Sequence, residues 1–295
     1  MCSTGERRER EVGWATGEGA RVVVVGKGGG GKSTLTAMLA RTMARCGATV
    51  VAVDADEQRN LAATLGLDSS AMSAIVPLAG DADYIEEKTG ARPGEGSGAM
   101  LRLNPDTGDV VDRHAVAAPD GVRLLVMGGV PRAGGGCLCP ENALLAATLA
   151  NMRLRRGEMV IMDTHAGVEH FGRALARGFD RALVVVEPTF NSVQVGLETA
   201  RLARELGIVA IDLIVNRCRD QQDLARALAY VQGMDDSKFG SITALPFDQA
   251  LLECEPSISG LKDDSPLALA VTRLCRQLFE VQLDGSEQGA LAGVR

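Results

Sequence analysis

The sequence is poor in aromatic residues and has no strongly basic segment. One Trp, two Tyr and six Phe make up 3% of the 295 residues, and the formal net charge is −7. Proteins that bind nucleic acid need Lys and Arg clusters for the phosphates and, for single strands, aromatic side chains on which the bases stack. The densest basic stretch here is RRER at residues 7–10. We therefore expect no nucleic-acid partner.

Long apolar runs are also missing. The runs at residues 182–186 and 208–211 are interrupted within a few residues, whereas a membrane-spanning helix needs roughly 20 apolar residues. The first residues, MCSTGERRERE, lack the apolar stretch of a signal peptide. These absences predict a cytoplasmic protein with no membrane partner, in which the seven cysteines are mostly reduced thiols.

What the sequence does contain is a regular alternation of short β-branched runs with helical patterns. Near-continuous apolar strands separated by amphipathic helices are typical of a parallel sheet covered on both faces. The pattern therefore predicts a three-layer α/β fold, with a mostly parallel central sheet and helices on either side. Strands are predicted at 21–25, 49–53, 122–127, 159–162, 182–186, 210–215 and 241–245, and helices at 33–45, 141–153, 192–206, 220–232 and 267–281.

A single domain is predicted over residues 20–282, because a chain of this length is near the upper limit that one hydrophobic core organises. Residues 1–19 and 283–295 lack apolar periodicity and are interpreted as a disordered N-terminal tail and a flexible C-terminal tail. Residues 74–120 are rich in Gly, Pro and Asp and fit the alternation poorly. We interpret them as an insertion of short helices and loops, which could include a hairpin around residues 101–111.

A glycine-rich loop lies between the first predicted strand and the first predicted helix, where residues 26–34 read GKGGGGKST. Loops in that position bind phosphate, because their backbone N–H groups and the positive end of the helix surround the phosphate oxygens. Lys32 would contact the β- and γ-phosphates, and the Ser33 hydroxyl would hold Mg²⁺. Lys27 is a second lysine, which the ordinary motif does not require. The loop predicts a nucleotide site formed by Gly28, Gly29, Gly30, Gly31, Lys32, Ser33 and Thr34.

Carboxylates follow two of the other predicted strands. Asp54 and Asp56 end the second strand, and Asp163 follows the strand at 159–162, with Gly167 four residues later. Ligands bind at the carboxyl ends of parallel strands. Asp54 could therefore support the Mg²⁺ shell, and Asp56 could orient or deprotonate the attacking water. Asp163 and Gly167 have the DxxxG spacing of a switch loop, whose aspartate holds Mg²⁺ through water. The alternative for Asp54 and Asp56 is that they only cap the next helix.

Two closely spaced cysteines follow three glycines in the segment CLCP, at residues 137–140. The thiolates of Cys137 and Cys139 could bind one metal ion together, but a tetrahedral site needs two further ligands from elsewhere. The alternative is that one or both are small buried apolar residues. We interpret the remaining chemistry-bearing residues as hydrogen-bonding histidines, namely His114, His165 and His170, and as packing cysteines, namely Cys46, Cys218, Cys254 and Cys275.

Taken in order, these segments resemble a known family. KGGGGKS at residues 27–33 is similar to the deviant Walker A loop of the dimeric P-loop ATPases related to MinD, ParA and the nitrogenase iron protein. CLCPENALL (137–145), DTHAGVEHFGR (163–173), VVVEPTFNSV (184–193) and IVNR (214–217) resemble the CooC family, the nickel-insertion ATPases of carbon monoxide dehydrogenase maturation. The resemblance covers about residues 20–280, and His165 departs from it at a position where the family more often has an acidic residue.

The resemblance implies an ATPase that acts as a nickel chaperone and dimerises face to face when ATP is bound. Lys27 would reach the nucleotide of the partner subunit, and Lys27, Lys32 and Asp56 would be the catalytic residues. Cys137 and Cys139 would meet their symmetry mates in a four-cysteine site for nickel or zinc. The implied partners are ATP or ADP, a second copy of the chain, and nickel-free carbon monoxide dehydrogenase or the related acetyl-CoA synthase. The residues around adenine would be Asn216, Arg217 and Pro246.

Two alternatives on the same fold stay open. One is a positioning ATPase like MinD or ParA, which would need a basic DNA-binding face or an amphipathic terminus that the sequence does not display. The other is an iron-sulfur carrier or reductase, although such proteins more often use CxxC pairs or widely separated cysteines. ATP is favoured over GTP because Arg219 occupies the aspartate position of the guanine-reading NKxD pattern.

Overall fold

Eight strands form one sheet in the order β3-β4-β2-β5-β1-β6-β7-β8. The structure is a computed structural model that describes residues 19–92, 107–128, 139–165, 176–232 and 239–279. Every pairing in the sheet is parallel except that of β3 with β4. The strands are β1 (Ala20–Gly26), β2 (Thr49–Ala55), β3 (Val116–Ala117), β4 (Arg123–Val126), β5 (Glu158–Thr164), β6 (Arg181–Val186), β7 (Ala210–Cys218) and β8 (Ile242–Pro246).

Ten α-helices connect and cover these strands in the part of the chain that the structure describes. None of them combines the length and apolar character required to cross a bilayer. The helices are α1 (Lys32–Arg45), α2 (Leu61–Leu65), α3 (Ser69–Ser73), α4 (Ala82–Thr89), α5 (Val110–His114), α6 (Cys139–Asn151), α7 (Phe190–Glu205), α8 (Gln221–Gln232), α9 (Gln249–Cys254) and α10 (Pro266–Phe279).

The central strand β1 shows why the sheet is covered on both faces. Successive side chains of a strand point to opposite faces, and all four valines of residues 22–25 are buried. Val22 and Val24 belong to one core with α1 and α10, whereas Val23 and Val25 belong to a second core with α6 and α7. Complete burial of one such side chain stabilises the fold by about 1.5–3 kcal/mol. The predicted three-layer α/β fold is confirmed.

The predicted strands and helices all exist, with small differences at their ends. Helix α6 begins at Cys139, two residues before the predicted start, because Pro140 is favoured in the first turn of a helix and does not end it. Helix α7 begins at Phe190, where the extended backbone of Thr189 ends. The tails at residues 1–18 and 280–295 lie outside the described residues.

The insertion at residues 74–120 contains short helices, as predicted, but its described part contradicts the hairpin around 101–111. Val110 and Val111 begin helix α5 instead of a strand, with Val110 fully buried against the second core. The sequence pattern also missed β3, which extends the sheet by pairing antiparallel with β4. A two-residue strand is too short to produce the alternation by which strands are recognised.

Candidate functional site

The phosphate loop and the predicted carboxylates lie at one edge of the sheet. Val24 of β1 is in register with Asp163 of β5, and Asp163 is in register with Asp54 of β2. The Thr164 hydroxyl adds a 2.8 Å hydrogen bond to the carbonyl of Val24, which fastens β5 to β1 beside the loop. Because these strands are parallel, their carboxyl ends meet at the same place. The strand order therefore brings together residues that are distant in the chain.

The glycines of the loop are required by its backbone. Gly26, Gly29 and Gly31 have φ angles of 142°, 76° and 93°, which side-chain-bearing residues rarely adopt. At Gly26 a Cβ atom would also lie 2.1 Å from the carbonyl oxygen of Val185 on the adjacent strand. Glycine therefore lets the loop adopt this backbone path without strain, and at Gly26 it also permits the close approach to β6.

Lys32 is the first residue of α1 and is buried at the base of the loop. Its ammonium donates a 3.3 Å hydrogen bond to the carbonyl of Lys27. Burial lowers the pKa of Lys32, and the nearby carboxylates of Asp163 and Asp56 oppose that shift. The ammonium group thus lies near two acidic side chains, at the point where the loop would receive phosphate.

Asp163 is the buried carboxylate with unused bonding capacity. It is fully buried, and neither of its oxygens has a hydrogen-bond partner of good geometry among the described residues. Burial raises its pKa to about 7, while the Ser33 hydroxyl and the Lys32 ammonium act in the opposite direction. A buried charged oxygen without a partner is costly. Asp163 is therefore suited to a ligand that brings positive charge or hydrogen-bond donors.

Asp54 and Asp56 differ in how their oxygens are used. Both oxygens of Asp54 accept backbone hydrogen bonds, one from Asp56 and one from Leu61, each 3.1 Å long. Burial raises the pKa of Asp54 to about 7, against the effect of these two hydrogen bonds. Asp56 accepts one hydrogen bond, 2.9 Å long, from the backbone of Gln58 through Oδ1. Asp54 thus holds the loop after β2 with both oxygens, whereas Asp56, which is also buried, holds it through Oδ1.

This group of carboxylates does not by itself form a metal cage. No set of three His, Cys, Asp or Glu side chains within the described ranges is arranged to hold a metal ion. Mg²⁺ in nucleotide sites usually needs only one or two protein carboxylates, because phosphates and water complete its octahedron. The unpartnered oxygens of Asp163 and the adjacent Ser33 hydroxyl fit that requirement.

A pocket lies on the other side of the phosphate loop, at the ends of β7 and β8. The Asn216 side chain donates a 2.9 Å hydrogen bond to the carbonyl of Gly30 and accepts one of 2.9 Å from the backbone of Arg217. Arg217 has a left-handed backbone, with φ of 59°, and its guanidinium pairs with Glu187 at 2.7 Å. The pocket is lined in part by Gly31, Thr34, Asn216, Arg217, Pro246 and Phe247.

The structure therefore brings most of the predicted site residues to one edge of the sheet. Lys27 is exposed at the start of the loop. Cys137 and Gly167 lie outside the described residues, as does His170, and Cys139 is placed only as the first residue of α6. The predicted packing cysteines Cys46, Cys218 and Cys275 are buried, and Cys254 is half-buried.

Two features of the site were missed by sequence reasoning. One is the ion pair of Glu187 with Arg217, which joins the ends of β6 and β7. The other is the capping role of Asp248, whose carboxylate accepts backbone hydrogen bonds from Ala250 and Leu267 beside the pocket. An aspartate two residues after a proline, directly before a helical pattern, was an available signal for such a cap.

Comparison with known proteins agrees with this geometry. The model of the CobQ/CobB/MinD/ParA nucleotide binding domain matches residues 22–255. The carbon monoxide dehydrogenase accessory protein CooC of Rhodospirillum rubrum is 36% identical over 246 residues, which cover 83% of this chain and 90% of that protein. An ATP-binding protein of Methanocaldococcus jannaschii is 33% identical over 264 residues, 89% of this chain and 98% of that protein.

Solved structures with the same fold include the cell division ATPase MinD of Pyrococcus furiosus. It superposes with a TM-score of 0.64 at 20% sequence identity, covering 89% of this chain and 99% of that one. A chain of the MinC:MinD cell division protein complex of Aquifex aeolicus superposes with a TM-score of 0.62, also at 20% identity, over 90% of this chain and 97% of that one. At these identities the likeness supports the fold alone.

Proposed function

The chain is a CooC-like member of the CobQ/CobB/MinD/ParA family of P-loop nucleotide-binding proteins and an ATPase, and from this premise we propose that it is a nickel chaperone. In the proposal, ATP binding assembles a nickel site between two subunits, and the metal is delivered to nickel-free carbon monoxide dehydrogenase. The Rhodospirillum rubrum relative is a carbon monoxide dehydrogenase accessory protein, which supports carbon monoxide dehydrogenase as the recipient. Nickel is the cargo that the resemblance of the CLCP and AGVEHFGR segments implies.

The observation that carries the proposal is the position of Cys139, the second cysteine of the CLCP segment, in the order of strands and helices. Cys139 begins α6, in the connection between β4 and β5. β4 pairs with β2, and β2 pairs with β5, so this connection joins the part of the sheet that ends in Asp54, Asp56 and Asp163. The segment that we propose as metal-binding is therefore connected by the chain to the carboxylate side of the nucleotide site, and not to the pocket at β7 and β8.

A dimer follows from ligand number. Two thiolates, from Cys137 and Cys139, are half of a tetrahedral set. A two-fold axis that brings two copies of the segment together supplies the other half without further protein ligands. Thiolate ligands alone do not distinguish nickel from zinc, so both metals belong in any test.

In the proposed ATPase cycle, Lys32 and the N–H groups of the loop bind the β- and γ-phosphates. Asp56 orients the attacking water and takes its proton as the water oxygen bonds to the γ-phosphorus. The bond from that phosphorus to the β,γ-bridging oxygen breaks, giving ADP and phosphate. Mg²⁺, held by the Ser33 hydroxyl and through water by Asp163, would neutralise charge on the phosphates. Lys27 is exposed, as a residue that reaches across an interface must be.

The pocket on the other side of the loop is the proposed adenine site. Pro246 and Phe247 offer apolar surface, and Asn216 fixes the distance from that surface to the phosphate loop through Gly30. The exposed Arg217 lies at its rim, held by Glu187. The proposed nucleotide thus runs from the base at β7 and β8, across β1, to the γ-phosphate beside β2 and β5.

The test is metal stoichiometry combined with enzyme activation. We expect the protein to bind about one nickel per dimer in the presence of ATP and to activate nickel-free carbon monoxide dehydrogenase. The double variant Cys137→Ser/Cys139→Ser should lose both properties while keeping ATP binding. Lys32→Ala should lose activation because it no longer binds the phosphates.

The matched control is Cys254→Ser, the same substitution at a half-buried cysteine on α9. It should bind nickel and activate the enzyme like the wild type. If the Cys137→Ser/Cys139→Ser variant retained full nickel stoichiometry, the metal site would lie elsewhere. Normal activation by the Lys32→Ala variant would contradict the coupling to ATP.

A further inference from the structure

The turn that follows β2 is organised around the side chain of Asp54. This residue is fully buried, and each of its two oxygens accepts one backbone hydrogen bond of 3.1 Å. The donors are the N–H of Asp56, two residues later, and the N–H of Leu61, at the start of α2. One carboxylate therefore holds both ends of the turn at residues 56–61.

Two further hydrogen bonds close the turn from inside. Asp56 Oδ1 accepts from the N–H of Gln58 at 2.9 Å, and the carbonyl of Asp56 accepts from the N–H of Arg59 at 3.0 Å. Arg59 takes a left-handed backbone, with φ of 53°, a conformation that costs a side-chain-bearing residue about 1–2 kcal/mol. The turn needs stabilising contacts to keep that shape, and the contacts of Asp54 are the buried ones.

The two buried aspartates that face each other across β2 and β5 thus have opposite bonding states. Both oxygens of Asp163 lack a partner of good geometry among the described residues, whereas both oxygens of Asp54 are engaged by the backbone. When both oxygens of a carboxylate already accept well-formed hydrogen bonds, the carboxylate holds the donating N–H groups in fixed positions. The unpartnered carboxylate is the one available to a ligand.

We propose that Asp54 is a positioning residue for ATP hydrolysis, which acts by fixing Asp56 and not by holding Mg²⁺. It fixes the position of the Asp56 backbone, and therefore the position from which the Asp56 carboxylate contacts the attacking water. This inference rests on the proposed role of Asp56 in hydrolysis. It also gives the acidic residues of the site different roles, in which Asp163 serves the metal and Asp54 positions the catalytic carboxylate of Asp56.

The first test is the Asp54→Asn variant. Asparagine has the same shape but keeps one acceptor oxygen, and its NH₂ group would face the second backbone N–H. Small displacements of catalytic groups lower rates by up to about 100-fold, so we expect kcat to fall by about 10- to 100-fold. Because the turn does not form the phosphate loop, the KM for ATP should stay within about twofold. The Mg²⁺ concentration for half-maximal activity should also be unchanged.

Asp68→Asn is the matched control. Asp68 also accepts a backbone hydrogen bond, from Ala71 at 2.7 Å, but it does so at the exposed start of α3. This variant should keep normal kcat. All rates are expressed per bound nucleotide, measured by titration with a fluorescent ATP analogue, so that a partly unfolded preparation does not imitate a slow enzyme. Asp54→Ser, which keeps one acceptor oxygen in a smaller side chain, provides a second variant with the same expected pattern.

The second test is a double-mutant cycle with Asp56→Asn. If Asp54 acts through Asp56, adding Asp54→Asn to Asp56→Asn lowers kcat no further. An additional loss as large as in the wild-type background would overturn the proposal, and so would a raised Mg²⁺ requirement in Asp54→Asn alone. Normal hydrolysis by Asp56→Asn itself would instead refute the role of Asp56, so the two failures are distinguishable.

Discussion

Replacing Gly31 with alanine should disturb the link between the phosphate loop and the pocket beside it. Gly31 has φ of 93°, and a Cβ atom there would lie 2.3 Å from Nδ2 of Asn216. Asn216 would have to move, and its 2.9 Å hydrogen bond to the carbonyl of Gly30 would break. Gly29 offers the matched comparison, because its φ is 76° but a Cβ atom there would meet nothing within 4 Å.

The expected magnitudes differ for this reason. Both substitutions place alanine in a left-handed backbone, at a cost of about 1–2 kcal/mol each. Gly31→Ala also leaves buried polar groups without partners, which costs a further 1–3 kcal/mol or so. The free energy of unfolding of the nucleotide-free protein, measured in urea, should therefore fall by about 1–2 kcal/mol for Gly29→Ala and by about 2–5 kcal/mol for Gly31→Ala.

A double-mutant cycle isolates the contact. In an Asn216→Ala background the obstructing amide is gone, so Gly31→Ala should cost no more than Gly29→Ala. Equal destabilisation by the two glycine variants in the wild-type background would refute the reasoning. An excess for Gly31→Ala that persisted without the Asn216 side chain would also refute it, because the clash would then not be its cause.

Three further predictions concern charge, packing and the exposed lysine. The pKa of Asp163 is raised to about 7 by burial, so the fold binds this proton more tightly than the unfolded chain and loses stability as pH rises from about 4 to 7. In the nucleotide-free protein, the Tm of Asp163→Asn relative to the wild type should therefore rise between about pH 5 and pH 7 and then stay level. A difference in Tm that did not change with pH would contradict the raised pKa of Asp163. Gly196→Ala places a Cβ atom 2.4 Å from Cγ1 of Val186, so the free energy of unfolding measured in urea should fall by about 1–3 kcal/mol. Adding the second substitution Val186→Ala should relieve this loss, because it removes the Cγ1 atom. Lys27→Ala should keep the Tm and the ATP affinity of the monomer but lose ATP-dependent dimerisation in light scattering; a normal dimer would remove Lys27 from the interface.

Local patterns in the sequence were enough to predict most of the fold. Continuous valine runs such as residues 22–25 identify strands buried on both faces, and the phosphate loop is recognisable from its glycines and Lys32 alone. The order of the strands was not predictable in this way, because nothing in β1 states that its neighbours are β5 and β6. The grouping of Asp54 with Asp163 depends on that order, so sequence placed each residue at a strand end without establishing which ends meet.

The division of roles among the carboxylates was also beyond the sequence. Asp54 and Asp56 are two residues apart in a DAD segment, and no pattern says which of them turns inward to bind backbone N–H groups. The structure resolves this because both oxygens of the fully buried Asp54 accept backbone hydrogen bonds, from the N–H groups of Asp56 and Leu61. The alternative that these residues cap the next helix is thus correct for Asp54 in part, since Leu61 begins α2.

The strand order also has a consequence for how the molecule folds. The strands that carry the phosphate loop, Asp54 and Asp163 pair with strands that are not consecutive with them in the chain, since β1 pairs with β5 and β6, and β2 pairs with β5. Pairings between distant segments require closure of long loops and form slowly. The pairing of β2 with β5 also brings Asp54 beside Asp163, where the charge of Asp54 adds to burial in raising the pKa of Asp163. The loop and the carboxylates therefore come together only when β1, β2 and β5 have paired, and ligands that bind there stabilise the folded sheet over forms that lack these pairings.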